Sequence, residues 1–147
     1  MLNTPSTLES YTWKENGYRP LVFFNGWQVA RLNWEPLFDL QNAGEIERHN
    51  LTDEVFVLLR GQGLLFVSDG EKLQAQDMQP GVIYNVPRGV WHNLLATREA
   101  AWVIVENRDT HLKDTQLRRM TPEELGQLRA NLPSWLLHGR SDRLQSE

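Results

Sequence analysis

The sequence predicts an all-β domain, an antiparallel sandwich or barrel, followed by one C-terminal helix. Three observations carry that expectation. Between Leu21 and Asn107 the chain breaks into short runs rich in β-branched and aromatic residues, too short for typical helices. Turn chemistry separates the runs at Asn25-Gly26, Gly61-Gln62-Gly63, Asp69-Gly70, Pro80-Gly81 and Pro87-Arg88-Gly89. After Thr121 the pattern changes to that of a helix start.

Taken in order, residues 1–20 carry Pro5, Gly17 and Pro20 without a clear period and read as an N-terminal arm. Leu21 to Phe24 is a short apolar run before the Asn25-Gly26 turn. Trp27 to Trp34 reads as a strand, and Gly44 to His49 as the next. Glu54 to Arg60 is strongly β-forming. The Gly61–Gly63 turn sends the chain back through Leu64 to Ser68. Asp69-Gly70 is a hairpin signal leading to Lys72–Gln76. Val82–Val86, Trp91–Ala96 and Ala101–Asn107 complete the strands. Thr121 then supplies an N-cap, Pro122 the first helical position and Glu124 the residue three beyond the cap. Leu125, Leu128 and Leu132 form one apolar stripe, and Pro133 stops the helix. The expected organisation is an arm (1–20), a barrel (21–110), a helical segment (111–137) and a polar tail (138–147).

Composition narrows the class of function. A chain of 147 residues is most simply one domain with a sizeable core. There is no cysteine, so thiolate ligands, thiol nucleophiles and disulfides are excluded. A net charge of −4 and the lack of a basic run argue against nucleic acid. The first residues lack the basic-then-apolar order of a signal peptide, and no apolar stretch has membrane-spanning length. A soluble, cytoplasmic location is the expectation.

Two segments carry the chemistry. In a strand, residues i and i+2 face one side, so Glu47 and His49 present a carboxylate and an imidazole together. Glu54 opens the next strand after a short turn, and His92 arrives from a separate hairpin. Two imidazoles and two carboxylates suit a divalent first-row metal: Mn, Fe, Ni, Co or Zn. Three protein ligands with open positions leave room for a substrate. Other candidates are weaker. Asp53 reads as a turn residue, and Trp91 points away from the side that His92 faces. Arg31 lies mid-strand, on a solvated face or toward an anionic substrate. Tyr84 and Trp102 are pocket walls or core. His111 and His138 read as surface residues.

The two segments resemble the two sequence motifs of the cupin superfamily, small cupin-2-like domains in particular. The second motif runs G-x5-P-x-G-x2-H-x3-N, matched by Gly81, Pro87, Gly89 and His92, with Ala96 in place of the final Asn. The first runs G-x5-H-x-H-x3,4-E-x6-G, matched by His49, Glu54 and Gly61. Glu47 stands where the first His is expected and Gln41 where the first Gly is expected. The likeness spans roughly residues 25 to 107. It implies a double-stranded β-helix (jelly-roll) barrel with a metal near its mouth, held by His49, Glu54 and His92. Glu47 is then a fourth ligand, an unbound general base that makes it catalytic, or the mark of weakened metal binding.

Cupins host many activities, so the likeness specifies fold more than function. One reading is a metal-dependent enzyme on a small polar substrate, of isomerase, lyase or dioxygenase type. A second is a non-catalytic module that binds or senses a small ligand. A third is a structural cupin without metal that works by oligomerisation. A homodimer is expected from the resemblance, with the Leu21–Phe24 run and the arm packing on a neighbour.

Overall fold

The computed structural model describes residues 7–137. The expected polar tail and His138 lie outside them. Among the described residues, ten strands form two five-stranded antiparallel sheets. The strands are β1 (Gly17–Phe24), β2 (Trp27–Asn33), β3 (Glu45–Arg48), β4 (Glu54–Arg60), β5 (Gly63–Ser68), β6 (Leu73–Asp77), β7 (Ile83–Val86), β8 (Trp91–Ala96), β9 (Ala101–Asn107) and β10 (Gln116–Arg119). One sheet runs β1-β2-β9-β4-β7 and the other β10-β3-β8-β5-β6. From β2 to β5 and again from β6 to β10 the chain alternates between the sheets, as in a jelly roll.

Period-two patterning builds the interior. Ala30 and Leu32 of β2, Phe56 and Leu58 of β4, and Trp102 and Ile104 of β9 face Leu65, Leu94 and Ala96 of the opposite sheet. Trp102 is fully buried, meets Phe38 edge-on and directs its indole N–H to Met78 Sδ. Tyr84 packs beside this core, and its hydroxyl accepts the backbone N–H of Gln79. Both aromatics are therefore core rather than pocket wall. Gly61 sits at φ +72°, and a Cβ there would come within 2.6 Å of the Ala100 backbone. Only glycine fits this β4–β5 turn.

A second apolar cluster lies on the outer face of the β10-β3-β8-β5-β6 sheet. Ile46, Leu64, Phe66, Leu73 and Leu95 are covered by helix α2 (Pro122–Ala130) through Leu125 and Leu128, and by Leu132 beyond it. A single turn, α1 (Thr110–Lys113), lies between β9 and β10. The predicted capping box is present: Thr121 Oγ1 accepts the Glu124 N–H, and the Glu124 carboxylate accepts the Thr121 N–H. Trp91 belongs to this outer face, between the guanidinium groups of Arg48 and Arg118 at 4.5 and 4.8 Å. It points away from the interior as alternation requires.

Two boundaries differ from the sequence reading. β1 begins at Gly17, so the last part of the expected arm is strand. Pro20 sits at a register shift on an edge strand, a position where sheets tolerate proline. Residues 116–119, expected within a helical segment, form β10 and pair with β3. Arg31 faces outward, opposite to the inward Ala30 and Leu32, and does not reach the barrel interior.

Candidate metal centre

Three strands bring the four predicted residues together inside the barrel mouth. Glu47 of β3 is paired directly with His92 of β8. His49 follows the end of β3, and Glu54 opens β4 with Phe56 and Leu58 on its own inward face. The second motif holds its partner in place through the backbone. Gly89, at φ +79°, donates its N–H to the His49 carbonyl at 2.6 Å. Asp53 does more than turn the chain: its carboxylate accepts the Arg88 N–H at 2.9 Å and the Asn85 amide at 3.2 Å, fixing the Pro87–Gly89 turn. The Arg88 N–H holds the Asp53 carboxyl below its ordinary range.

The geometry converges on one oxygen. Glu54 Oε2 lies 2.9 Å from His49 Nε2 and 2.9 Å from His92 Nε2. Glu47 Oε1 lies 3.9 Å and 3.8 Å from the same two nitrogens. One ligand atom from each of the four residues falls within 4.8 Å of the others. His49, Glu54 and His92 are buried, whereas the Glu47 side chain is 34% exposed and faces the cavity.

The outward nitrogens settle which atoms are free to bind. His49 Nδ1 lies 2.7 Å from the Asp114 carbonyl, and His92 Nδ1 lies 2.9 Å from the Val90 carbonyl. A carbonyl only accepts, so each Nδ1 carries a proton and each neutral ring turns a lone pair on Nε2 inward. The Asp114 segment is itself held, its carboxylate accepting the N–H groups of Asn50 and Leu51 at 2.9 and 2.8 Å. Carbonyl-anchored imidazoles of this kind are how proteins orient metal-binding histidines.

Two inward lone pairs and a carboxylate oxygen repel one another unless a cation lies among them. Protons are one solution. Burial favours neutral imidazole, but the Glu54 hydrogen bond and charge outweigh it, lifting His49 to about 9 and raising His92. Burial likewise opposes ionisation of Glu54, yet the two imidazoles hold it at about 2. A divalent cation is the other solution, and the donor set fits one: two nitrogens and one or two carboxylates, without sulfur. Burial and the Glu54 charge raise Glu47.

A fifth group was not singled out from sequence. Glu106 of β9 is 5% exposed, and its Oε2 stands 3.9 Å from His49 Nε2. Its Oε1 accepts the Tyr18 hydroxyl, and Gln28 Nε2 donates to Tyr18 Oη at 2.9 Å. Burial and the Glu54 charge push Glu106 up to about 7. The signal in the sequence was a charged residue in the inward register of Trp102 and Ile104. His111 is exposed as expected, yet its ring lines the cavity, 5.4 Å from the Tyr18 ring. Its Nδ1 lies 3.3 Å from Gln28 Nε2. The cavity has a volume of about 190 Å³, with Leu32, Leu37 and Phe38 as its apolar side.

Comparison with known proteins supports the fold. No family profile and no curated relative matches the sequence. Solved structures do. The chain is similar to a cupin-2 domain containing protein from Shewanella frigidimarina, with a TM-score of 0.51 and 27% identity, covering 65% of this chain and 85% of that one. It is similar to Pac13 from Streptomyces, described as a nucleoside dehydratase, with a TM-score of 0.56 and 14% identity over 80% of this chain and 96% of that one. It is also similar to KdgF from Halomonas, with a TM-score of 0.50 and 12% identity over 71% and 94% of the two chains. The last two likenesses concern the fold alone. The fold is that of the cupins: a double-stranded β-helix barrel, here with a His/Glu cluster at its mouth. No helix among the described residues is long and apolar enough to cross a membrane.

Proposed function

We propose that this protein is a metal-dependent enzyme acting on a small polar substrate, of isomerase or lyase type. The observation that carries the reading is the convergence of His49 Nε2, His92 Nε2 and Glu54 Oε2, with both Nδ1 atoms committed to backbone carbonyls. That arrangement favours His49, Glu54 and His92 as ligands of one divalent ion, with Glu47 beside them. A bound divalent metal supplies Lewis acidity toward a carbonyl or hydroxyl oxygen.

The other steps belong to the chain's own residues. Glu47 is the half-buried member of the cluster, the one most open to the cavity, so it can both complete the ligand set and meet a substrate. Its raised carboxyl suits the transfer of a proton to or from a neighbouring carbon or oxygen. Leu32, Leu37 and Phe38 keep one side of the cavity apolar and limit water there. Two carboxylates on the cavity wall, Glu47 and Glu106, favour proton-transfer chemistry over the dioxygen alternative.

The test is metal uptake. Protein purified without chelator is expected to hold, or to take up on titration, about one equivalent of a divalent first-row metal. At a metal concentration about 100 times Kd the fold should gain about 2.7 kcal/mol, read as a raised Tm. No uptake and no shift in Tm contradict the proposal.

The second copy of the chain expected from the resemblance is also part of this proposal. Phe23, Phe24 and Trp27 are exposed around the β1–β2 turn, and Ile83 and Leu59 on the same sheet. Light scattering at working concentration should give the mass of a dimer; a monomer contradicts it.

A further inference from the structure

We propose that Glu106 sets the substrate class of this site: it receives the hydrogen-bond donors of a non-anionic ligand, hydroxyl or ammonium groups, and turns carboxylates and phosphates away. The inference rests on the reading of the cavity above as a substrate pocket. Its own evidence is a relay of fixed polarity. The backbone N–H of Asp109 donates to Gln28 Oε1 at 3.1 Å. A backbone N–H cannot accept, so this bond fixes which end of the Gln28 amide is oxygen. Gln28 Nε2 therefore donates to Tyr18 Oη at 2.9 Å. The Tyr18 hydroxyl is then left to donate to Glu106 Oε1.

The relay occupies one oxygen of the carboxylate and leaves the other. Glu106 Oε2 is buried and has no hydrogen-bond partner among the described residues. Glu106 lines the cavity, and this oxygen lies 3.9 Å from His49 Nε2. A buried acceptor of this kind normally carries a partner, because leaving it bare forfeits its solvation, the more so when it is charged. Here three neighbours hold it where a donor from a ligand in the cavity would satisfy it.

The rest of the wall selects in the same direction. Glu35, Glu45 and Glu47 also line the cavity, and no Lys or Arg among the described residues does. Glu47 and Glu54 together balance a divalent ion. Glu106, Glu35 and Glu45 then remain as surplus negative charge. A carboxylate or phosphate entering beside them meets like charge in a poorly solvated space. A hydroxyl or ammonium group meets acceptors. A site built to accept hydrogen bonds discriminates strongly against ligands that cannot donate them.

Three probes of matched size separate the cases: glucose (neutral), glucosamine (ammonium) and gluconate (carboxylate). Ligand-detected NMR titrations would be run at pH 8 on the full chain, with and without zinc, so that a preference due to Glu106 is read even where metal uptake fails. Glucose or glucosamine is expected to bind at least tenfold more tightly than gluconate, and the tighter of the two identifies the donor as hydroxyl or ammonium. Glu106→Gln should weaken that binding about tenfold and shrink the gap to gluconate, with zinc affinity lowered far less than in Glu54→Gln. Tyr18→Phe leaves the carboxylate in place but frees its second oxygen. It should weaken binding less and still reject gluconate. Gluconate binding as tightly as glucose, no binding by any probe, or an undiminished gap in Glu106→Gln overturns the proposal. So does a loss of zinc affinity in that variant as large as in Glu54→Gln, which would make Glu106 a metal ligand.

Discussion

Glu54→Gln is expected to lower the affinity for a divalent metal by more than about 100-fold, beyond the 10- to 100-fold that loss of a supporting group costs. The substitution keeps the shape of the side chain and removes its charge. Glu54 Oε2 is the atom on which both imidazoles converge at 2.9 Å. A glutamine there offers a neutral oxygen, or an NH₂ that donates to one Nε2 and blocks it. The metal-free protein changes too. Glu54 is the main reason His49 is raised to about 9 and His92 is raised with it. At about 9, His49 carries its second proton at neutral pH when no metal is present, and His92 is shifted in the same direction. Metal must displace that proton, so affinity should climb with pH up to about 9. In Glu54→Gln the rings fall back toward the ordinary imidazole value, 6.5, and the climb should end at lower pH. Isothermal titration with zinc from pH 6 to 9 measures both effects. Equal affinity in the variant at all pH values would exclude Glu54 as a ligand.

Glu124→Ala is expected to cost about 3 kcal/mol of stability, from loss of a cap and of a buried ion pair. Glu124 is fully buried where α2 meets the outer sheet face. Its carboxylate accepts two bonds from Arg118 at 2.7 and 2.9 Å, one from the Thr121 N–H and one from Ser68 Oγ. Alanine leaves these donors unmet. The Arg118 hydrogen bond leads in holding Glu124 at about 2, against an ordinary 4.5, with burial opposing it. A depressed folded pKa means the unfolded chain takes up the proton first. The stability it provides is complete above about 4.5 and disappears as pH falls through about 2. Urea denaturation at pH 7 and pH 3 tests this: the gap between wild type and variant should be wide at pH 7 and narrower at pH 3. A gap independent of pH would mean that packing, not charge, gives Glu124 its effect.

Much of the barrel was legible because its strands are short, strongly β-forming and separated by glycine and proline turns. Glu54–Arg60 and Ala101–Asn107 are such strands, and both were placed to the residue. The elements that escaped lie at sheet edges. β10 has only Leu117 as an apolar residue, and Leu117 is exposed, so no alternation marks it. β1 begins among residues that normally break strands, and tolerates Pro20 only because it is an edge.

The cluster of Glu47, His49, Glu54 and His92 was legible for a different reason. Its glycines and proline make turns of fixed geometry, so spacing along the chain implies proximity in space. Glu106, Tyr18 and Gln28 belong to strands distant from those turns. Their meeting depends on the pairing of β2 with β9, which places Gln28 opposite Glu106. Nothing local in the sequence encodes that pairing. Arg31 shows the converse: an informative residue type on a strand, turned to the wrong face by one step of register.

The most direct test of the metal centre is anomalous X-ray scattering from crystals grown with zinc, collected on both sides of the zinc edge. One strong peak is expected at about 2.0–2.2 Å from His49 Nε2, His92 Nε2 and a Glu54 oxygen. A barrel with no peak there, and Glu54 still hydrogen-bonded to both imidazoles, would contradict a metal centre here.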